Sequence, residues 1–214
     1  MKWLEFLSLI KDNGHVTLVG PLYNQKHIPV TPTIYVDGGG IFASPTSVDN
    51  PVVFVGDGDS GADVELDEKL PVEKDYSDLA FVLRALPQTI DRVDMLGFLG
   101  GRRDHDLCNM GEVHAFLHAR AHFTSVEMTG PDTRVIGFCK GRVTLDIQGI
   151  FSVFVLETAA VKISGECKYS LSRERVLLPL SSAGLSNEGF GAVEIESGPP
   201  AFIITQVKDP FLEA

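Results

Sequence analysis

The sequence predicts an α/β protein, with a mostly parallel N-terminal sheet and flanking helices, followed by an antiparallel β-sandwich. Three observations carry this prediction. Up to about residue 130, short apolar runs alternate with stretches of helical period. Those runs are apolar throughout, as in strands buried on both faces of a parallel sheet. After "TGPDT" at 129–133 the helical period stops. Short β-branched segments follow, separated by turns at Gly141, Gly149, Gly165, Gly184 and "SGPP" (197–200). The division predicts two domains, 1–130 and 131–214.

Taken in order, Trp3, Phe6, Leu7 and Ile10 fall at helical spacing and predict an amphipathic helix docked on the body. Its polar face is not basic, which argues against a membrane surface as its partner. "VTLVG" (16–20), "TIYVDGG" (33–39), "VVFVGDGDS" (52–60) and "VDMLGFLGG" (93–101) read as strands. Between the first two lies "GPLYNQKHIPVTP", with three prolines and no helical period. A parallel crossover commonly contains a helix. The first strand is therefore expected at an edge, antiparallel or absent, with the N-terminal helix over the vacated surface. "SDLAFVLRAL" (77–86) aligns Leu79, Val82, Leu83 and Leu86 on one helical face, with Ser77 as N-cap and Asp78 in the first turn. "HDLCNMGEVHAFLHARA" (105–121) aligns Leu107, Met110, Val113 and Leu117 on another. Cys108 within it reads as packing. His114, His118 and His122 recur every four residues and read as a helix face, because one straight helix cannot wrap three ligands around a tetrahedral ion.

Composition narrows the function. A formal net charge of −11 over 214 residues argues against a nucleic-acid backbone as partner. It leaves room for a phosphate ligand if a metal stands between phosphate and carboxylates. No apolar run reaches membrane-spanning length. Glu5 interrupts the greasy first residues and no small-residue cleavage site follows, so no signal peptide is expected. Three cysteines without C-x-x-C spacing point to reduced thiols and a cytoplasmic protein.

The chemistry concentrates where strands end. Strand after strand closes in glycine, often with an acid: Gly20, Asp37-Gly38-Gly39, Gly56-Asp57-Gly58-Asp59, Gly100-Gly101. In open parallel sheets those ends share one edge, and ligands bind in the crevice there. "GDGDSG" (56–61) matches the spacing of a dinucleotide fingerprint, but no helix opens after it and its carboxylates repel a pyrophosphate. "DGDSGADVELDE" (57–68) mimics a calcium loop but has Ala62 at the sixth place, where the sharp turn needs glycine. What remains is a magnesium site for a polyphosphate. Asp57 and Asp59 alternate in a tight turn, Asp78 approaches from the next helix, and Asp37 comes from the neighbouring strand end. In "LGGRRDHDLCN" (99–109), Gly100 and Gly101 allow close backbone approach and Arg102 offers charge to phosphate oxygens. Asp104, His105 and Asn109 add hydrogen-bonding groups at a helix start.

Together these motifs resemble the thiamine pyrophosphokinase family. The matching pieces are "YVDGG" (35–39), "VGDGDS" (55–60), "EKDYSD" (73–78), "GFLGGRRDHDLCN" (97–109), "FSVFVLE", "GECKYSL" and "GLSNE" (184–188), in the family's order over roughly residues 33 to 207. The resemblance implies a Rossmann-like α/β catalytic domain, a β-sandwich domain, and a homodimer whose active sites lie between subunits. It implies transfer of the pyrophosphoryl group of ATP to thiamine, giving thiamine diphosphate and AMP. It assigns Mg²⁺ to Asp57, Asp59 and Asp78. The nucleotide falls to Asp37, Gly38, Lys74, Gly100, Gly101, Arg102, Asp104, His105 and Asn109. Thiamine falls to Ser186 and Asn187. Asp57, Asp59, Asp78 and Arg102 carry the catalytic expectation, with Asp78 as proton acceptor. Two departures stand out: serine replaces the usual threonine in "KDYSD", and no tryptophan lies near "GLSNE", where Phe190 is the available aromatic ring. Two other functions fit these residues: a pyrophosphokinase acting on another alcohol, such as a hydroxymethylpterin, and a non-catalytic thiamine- or nucleotide-binding homologue.

Overall fold

The continuous apolar runs of the N-terminal half become parallel strands, as their burial on both faces requires. The computed structural model describes residues 1–24, 29–42, 50–59, 64–171 and 175–206. The chain divides into two units, Met1–Glu112 with Met128–Gly130, and Val113–Glu127 with Pro131–Ala214.

In the first unit, β1 (His15–Val19), β2 (Thr33–Val36), β3 (Val52–Gly56), β4 (Glu68–Lys69) and β5 (Arg92–Leu96) pair with one another in parallel, in the order β5-β1-β2-β3-β4. This corrects the expectation for the first strand. β1 lies inside the sheet, parallel to both neighbours, with Val16, Leu18 and Val19 fully buried. A crossover needs length more than it needs a helix. The proline-bearing segment returns beside the strand it left: Thr17 N donates to Pro32 O at 2.9 Å, and the Thr17 and Thr31 hydroxyls lie 2.6 Å apart. Gln25 to Ile28 fall outside the described residues.

Helix α1 (Trp3–Ile10) buries Trp3, Phe6 and Ile10, as its spacing predicts. Trp3 meets Phe81 of α2 (Asp78–Ala85) with ring centroids 5.9 Å apart. Ser77 caps α2 by accepting from Ala80 N at 3.1 Å, and Leu79, Val82, Leu83 and Leu86 are buried. Helix α3 (Arg103–His118) begins earlier and ends earlier than predicted. Leu107 is 61% exposed and Cys108 is exposed, so the first turns of α3 do not pack as expected. Charged residues on either side of them keep that stretch in water. His122 lies beyond the end of α3 and shares no helix face with His114 and His118. No described helix is long and apolar enough to cross a membrane.

The remaining strands are β6 (Thr124–Thr129), β7 (Thr133–Cys139), β8 (Gly141–Phe154), β9 (Ala159–Cys167), β10 (Val176–Leu177), β11 (Asn187–Ser197) and β12 (Ala201–Gln206). In the second unit β10-β9-β11-β8-β12-β7 form one antiparallel succession. Antiparallel pairing was expected; two separately bonded, stacked sheets were expected as well, and the ladder joins all six strands instead. β8 makes the difference. Its residues 141–151 pair with β11 and its residues 151–154 with β12, and Gly149 at φ +105° sits within it. One buried cluster takes side chains from all six strands, among them Phe138, Phe151, Ile163, Leu177, Ile195 and Ile203. Alternating apolar residues mark a buried face, and that pattern is the same whether the face belongs to one bent sheet or to two.

Candidate active site

The site is assembled at the carboxyl ends of β2, β3 and β5, where a parallel sheet gathers its loops. After β2 the chain turns at Asp37, which adopts φ +53° and opens a 3-10 turn, Asp37–Phe42. Aspartate tolerates this left-handed conformation better than most residues. Gly38 is buried in that turn. Gly39 must be glycine because a Cβ there would collide with the Val19 carbonyl at the end of β1. β3 ends at Gly56, whose missing side chain leaves room for two neighbours. A Cβ would lie 3.2 Å from Asp37 Cα and 3.5 Å from Asp78 Oδ2. The first residue past the strand is Asp57, and the N-terminus of α2 brings Asp78, which is buried. Carboxylate oxygens of Asp37, Asp57 and Asp78 thereby come within 4.8 Å of one another.

Lys74 sits between two of them. Its Nζ is 2.8 Å from Asp57 Oδ2 and 2.9 Å from Asp78 Oδ1, and it donates to Pro71 O at 2.9 Å. The three side chains are only 8%, 11% and 10% exposed. The ammonium holds the Asp57 carboxyl below the usual carboxylate range. Burial works against the Lys74 charge, but the bonds to Asp57 and Asp78 outweigh it and hold its pKa above that of an ordinary lysine. Asp59 turns back on Asp57, its N–H donating to Asp57 Oδ1 at 3.2 Å. Hydrogen bonding and like charge from Asp57 push the Asp59 carboxyl up, and it stays outside the tight trio. Asp37 takes the third place instead.

The loop after β5 closes the other side. Gly97 at φ +76° lies so close to the Tyr23 backbone that no side chain fits, and Leu22 N donates to Gly97 O at 3.1 Å. Gly100 N donates to Asp106 Oδ2 at 3.3 Å, and Gly101 lies against Leu22. Arg102 is held by Asp104 through Nε at 3.1 Å and Nη2 at 2.5 Å, and both are largely exposed. Asn109 Nδ2 donates to Phe98 O at 2.9 Å, so its amide fixes the loop as well as facing the cleft.

The result is a cleft of about 420 Å³ lined by Asp37, Asp57, Asp59, Lys74, Asp78, Arg102, His105 and Asn109. Apolar walls come from Leu22, Val36, Leu79 and Phe98. Gly38, Gly100, Gly101 and Asp104 shape the loops around it. Sequence reasoning missed Asp106, Tyr76, Phe98 and Leu22. Asp106 and Tyr76 stand inside quoted motifs; nothing in the sequence marks Leu22.

Ser186 and Asn187 lie in the second unit. Ser186, at φ +55°, donates its N–H to Ser152 Oγ at 3.1 Å. Asn187 is buried, and its amide staples the neighbouring loop. Oδ1 accepts from Tyr169 N at 3.0 Å and Glu188 N at 2.9 Å, while Nδ2 donates to Tyr169 O at 2.7 Å. Asn187→Ala strands three partly buried backbone groups and is expected to lower stability by about 1–2 kcal/mol. Thermal denaturation checks this, and an unchanged Tm would show that the staple is dispensable. Asn187 also borders a smaller recess of about 210 Å³ with Tyr169, Arg175 and Leu185.

By sequence, neither a protein-family model nor a curated protein matches the chain. By structure, the chain is similar to thiamine pyrophosphokinase from Bacillus subtilis, with TM-score 0.66 and 20% identity over 91% of this chain and 98% of that one. The chain has the thiamine pyrophosphokinase fold. The enzyme from Geobacillus thermodenitrificans gives 0.65 and 22% over 92% and 99%. That from Candida albicans gives 0.65 and 14% over 91% and 89%. The thiamine pyrophosphokinase fold is thus kept along nearly the whole chain at an identity where few side chains are held in common. The resemblance read from the motifs is a resemblance of fold as well.

Proposed function

We propose that the chain is a thiamine pyrophosphokinase, transferring the pyrophosphoryl group of ATP to the hydroxyl of thiamine to give thiamine diphosphate and AMP. The observation that carries this reading is the trio Asp37, Asp57 and Asp78 in a cleft that also presents Lys74 and Arg102, within that fold. Three carboxylates against one ammonium leave two negative charges, which suits one divalent cation. The all-oxygen donor set suits a hard ion such as Mg²⁺. Asp57 and Asp78 would hold it with Asp37, and Asp59 would stand at its solvent side. When bound, the ion neutralises phosphate charge and polarises the phosphoryl group.

The chain's own residues do the rest. Lys74, next to the trio, and Arg102, at the rim, face the triphosphate with positive charge. The apolar walls at Leu22 and Phe98 take the nucleoside. Asp78 is our choice to accept the alcohol proton as the oxygen–phosphorus bond forms and the bond to AMP breaks. Positioning and charge neutralisation account for the chemistry. In this reading 1–130 is the catalytic domain and 131–214 the thiamine-binding and dimerisation domain. The protein is a cytoplasmic homodimer. Exposed apolar side chains of the second unit, including Ile150, Leu178, Leu180, Leu185 and Phe190, support a surface that another subunit covers. In this reading Ser186 lines the thiamine pocket, and Asn187 acts there through the loop it staples.

The reading is tested by incubating the protein with Mg-ATP and a panel of alcohols while following AMP. Release with thiamine supports it. Release only with a hydroxymethylpterin would transfer the site to another acceptor, and thiamine binding without AMP would make the chain a non-catalytic homologue.

A further inference from the structure

The order of strands in the first unit, β5-β1-β2-β3-β4, also orders the loops along the edge where the cleft lies. Phe98 follows β5 and Leu22 follows β1; Asp37 and Asp57 follow β2 and β3; Lys74 and Tyr76 follow β4. All of them line the one cleft. Along that edge the carboxylates stand between the Leu22 and Phe98 walls and the segment that carries Tyr76. The Tyr76 ring is held from one side by α2. Phe81 stacks on it with centroids 6.4 Å apart and planes 20° apart, and the Arg84 guanidinium carbon lies 5.9 Å from its centroid. Phe81 and Arg84 are three residues apart and share a helix face. Arg84 is itself paired with Glu112 at 3.5 Å, which offsets its charge. Behind Phe81 stands Trp3 of α1, buried, with centroids 5.9 Å apart. The N-terminal helix thus buttresses an aromatic row, Trp3-Phe81-Tyr76, that ends at the cleft.

We propose that Tyr76 determines acceptor specificity by packing its ring against the thiazolium of thiamine, which rests on the assignment of pyrophosphoryl transfer to this cleft. In-line transfer puts the attacking oxygen and the departing AMP on opposite sides of the phosphorus. With the nucleoside against Leu22 and Phe98, the acceptor enters from the side of Tyr76. The hydroxyl of thiamine hangs from its thiazolium on a short hydroxyethyl arm. That ring therefore stays near Asp78, the proton acceptor, which follows Tyr76 closely in the chain. An aromatic face attracts a cation, and Asp57 and Asp59 in the same cleft add negative charge. A neutral pterin gains less from either. A ring already held by Phe81 and Arg84 loses little freedom when the substrate packs on it.

Calorimetric titration of thiamine into the full chain, in Mg²⁺ and AMP, tests this without turnover. Tyr76→Leu keeps apolar bulk against Phe81 and is expected to fold, with circular dichroism as the check. It should raise the Kd for thiamine about tenfold, while Tyr76→Phe keeps the ring and should stay within about twofold. The Kd for AMP, titrated alone in Mg²⁺, should not change in either variant. Competition against thiamine by hydroxyethylthiazole and by its N-methylated cation checks the charge: Tyr76→Leu should weaken the cation more. Unchanged thiamine affinity in Tyr76→Leu, an equal loss in Tyr76→Phe, equal losses for the neutral and cationic competitors, a loss confined to AMP, or no thiamine binding by wild type would overturn the proposal. Thiamine binding that depends on the Tyr76 ring, in a protein that releases no AMP from ATP, would refute pyrophosphoryl transfer and uphold the role of Tyr76, so the two failures are told apart.

Discussion

Asp57→Asn is expected to abolish pyrophosphoryl transfer while the protein stays folded. Asp57 follows directly on β3, contributes to the carboxylate trio and bonds to Lys74 at 2.8 Å. The amide keeps the shape but removes one of the three negative charges that hold a divalent ion. Metal charge stabilisation is worth several kcal/mol in such reactions, so turnover should fall by about 10³-fold or more. Steady-state assay over a wide range of Mg²⁺ separates the causes. Recovery at high Mg²⁺ would mean weakened metal affinity, and no recovery would mean lost transition-state stabilisation. Activity within a few-fold of wild type would remove Asp57 from the metal shell. Asp59→Asn is expected to be milder, because Asp59 is exposed and stands outside the trio.

Lys74→Met is expected to destabilise the metal-free protein and to make its stability depend on divalent cations. The substitution leaves Asp57 and Asp78 facing each other without their shared ammonium. Breaking a buried pair typically costs about 3–5 kcal/mol, and the cleft is open to water, so about 2–3 kcal/mol is expected. The pH dependence has a definite sign. The folded Asp57 pKa lies below its ordinary 3.8, so its contribution is present above that value and is lost as pH falls through the folded pKa. The folded Lys74 pKa lies above 10.5, so its contribution is present below that value and is lost as pH rises through the folded pKa. The stability gap between wild type and variant should therefore be flat between these limits and close at both ends. Mg²⁺ should raise the Tm of the variant more than that of wild type, since the ion replaces the missing charge. Equal Mg²⁺ effects on the two proteins would contradict this.

Much of the site was legible because it depends on strand ends. Glycine followed by an acid marks where a buried strand must stop and turn, and parallel topology brings such stops to one edge. Asp37 and Asp57 follow strand ends and Asp78 opens the next helix, so the sequence groups them, together with Asp59, at that edge. The order of importance among the acids was not legible. Asp37 replaces Asp59 in the trio because Gly56 admits Asp37 from the adjacent strand, a contact between elements. The position of β1 was misread because prolines in 20–32 were taken to forbid a parallel return, whereas the chain comes back beside β1 through Thr31 and Pro32. The structural task of Asn187 was hidden for a similar reason: its partner, the Tyr169 backbone, is distant in sequence and adjacent only through the β9–β11 pairing. Glu157, beside His114 and His118 at the end of α3, is a further case. Patterns within an element could be read from sequence; encounters between elements could not.

The most direct measurement of the central claim is phosphorus NMR of the protein mixed with ATP, thiamine and Mg²⁺. The account predicts AMP and thiamine diphosphate appearing in equal amounts, only when a divalent ion is present, and not with Asp57→Asn. ADP with thiamine monophosphate, or ATP left unconsumed by folded protein in saturating Mg²⁺, would contradict it.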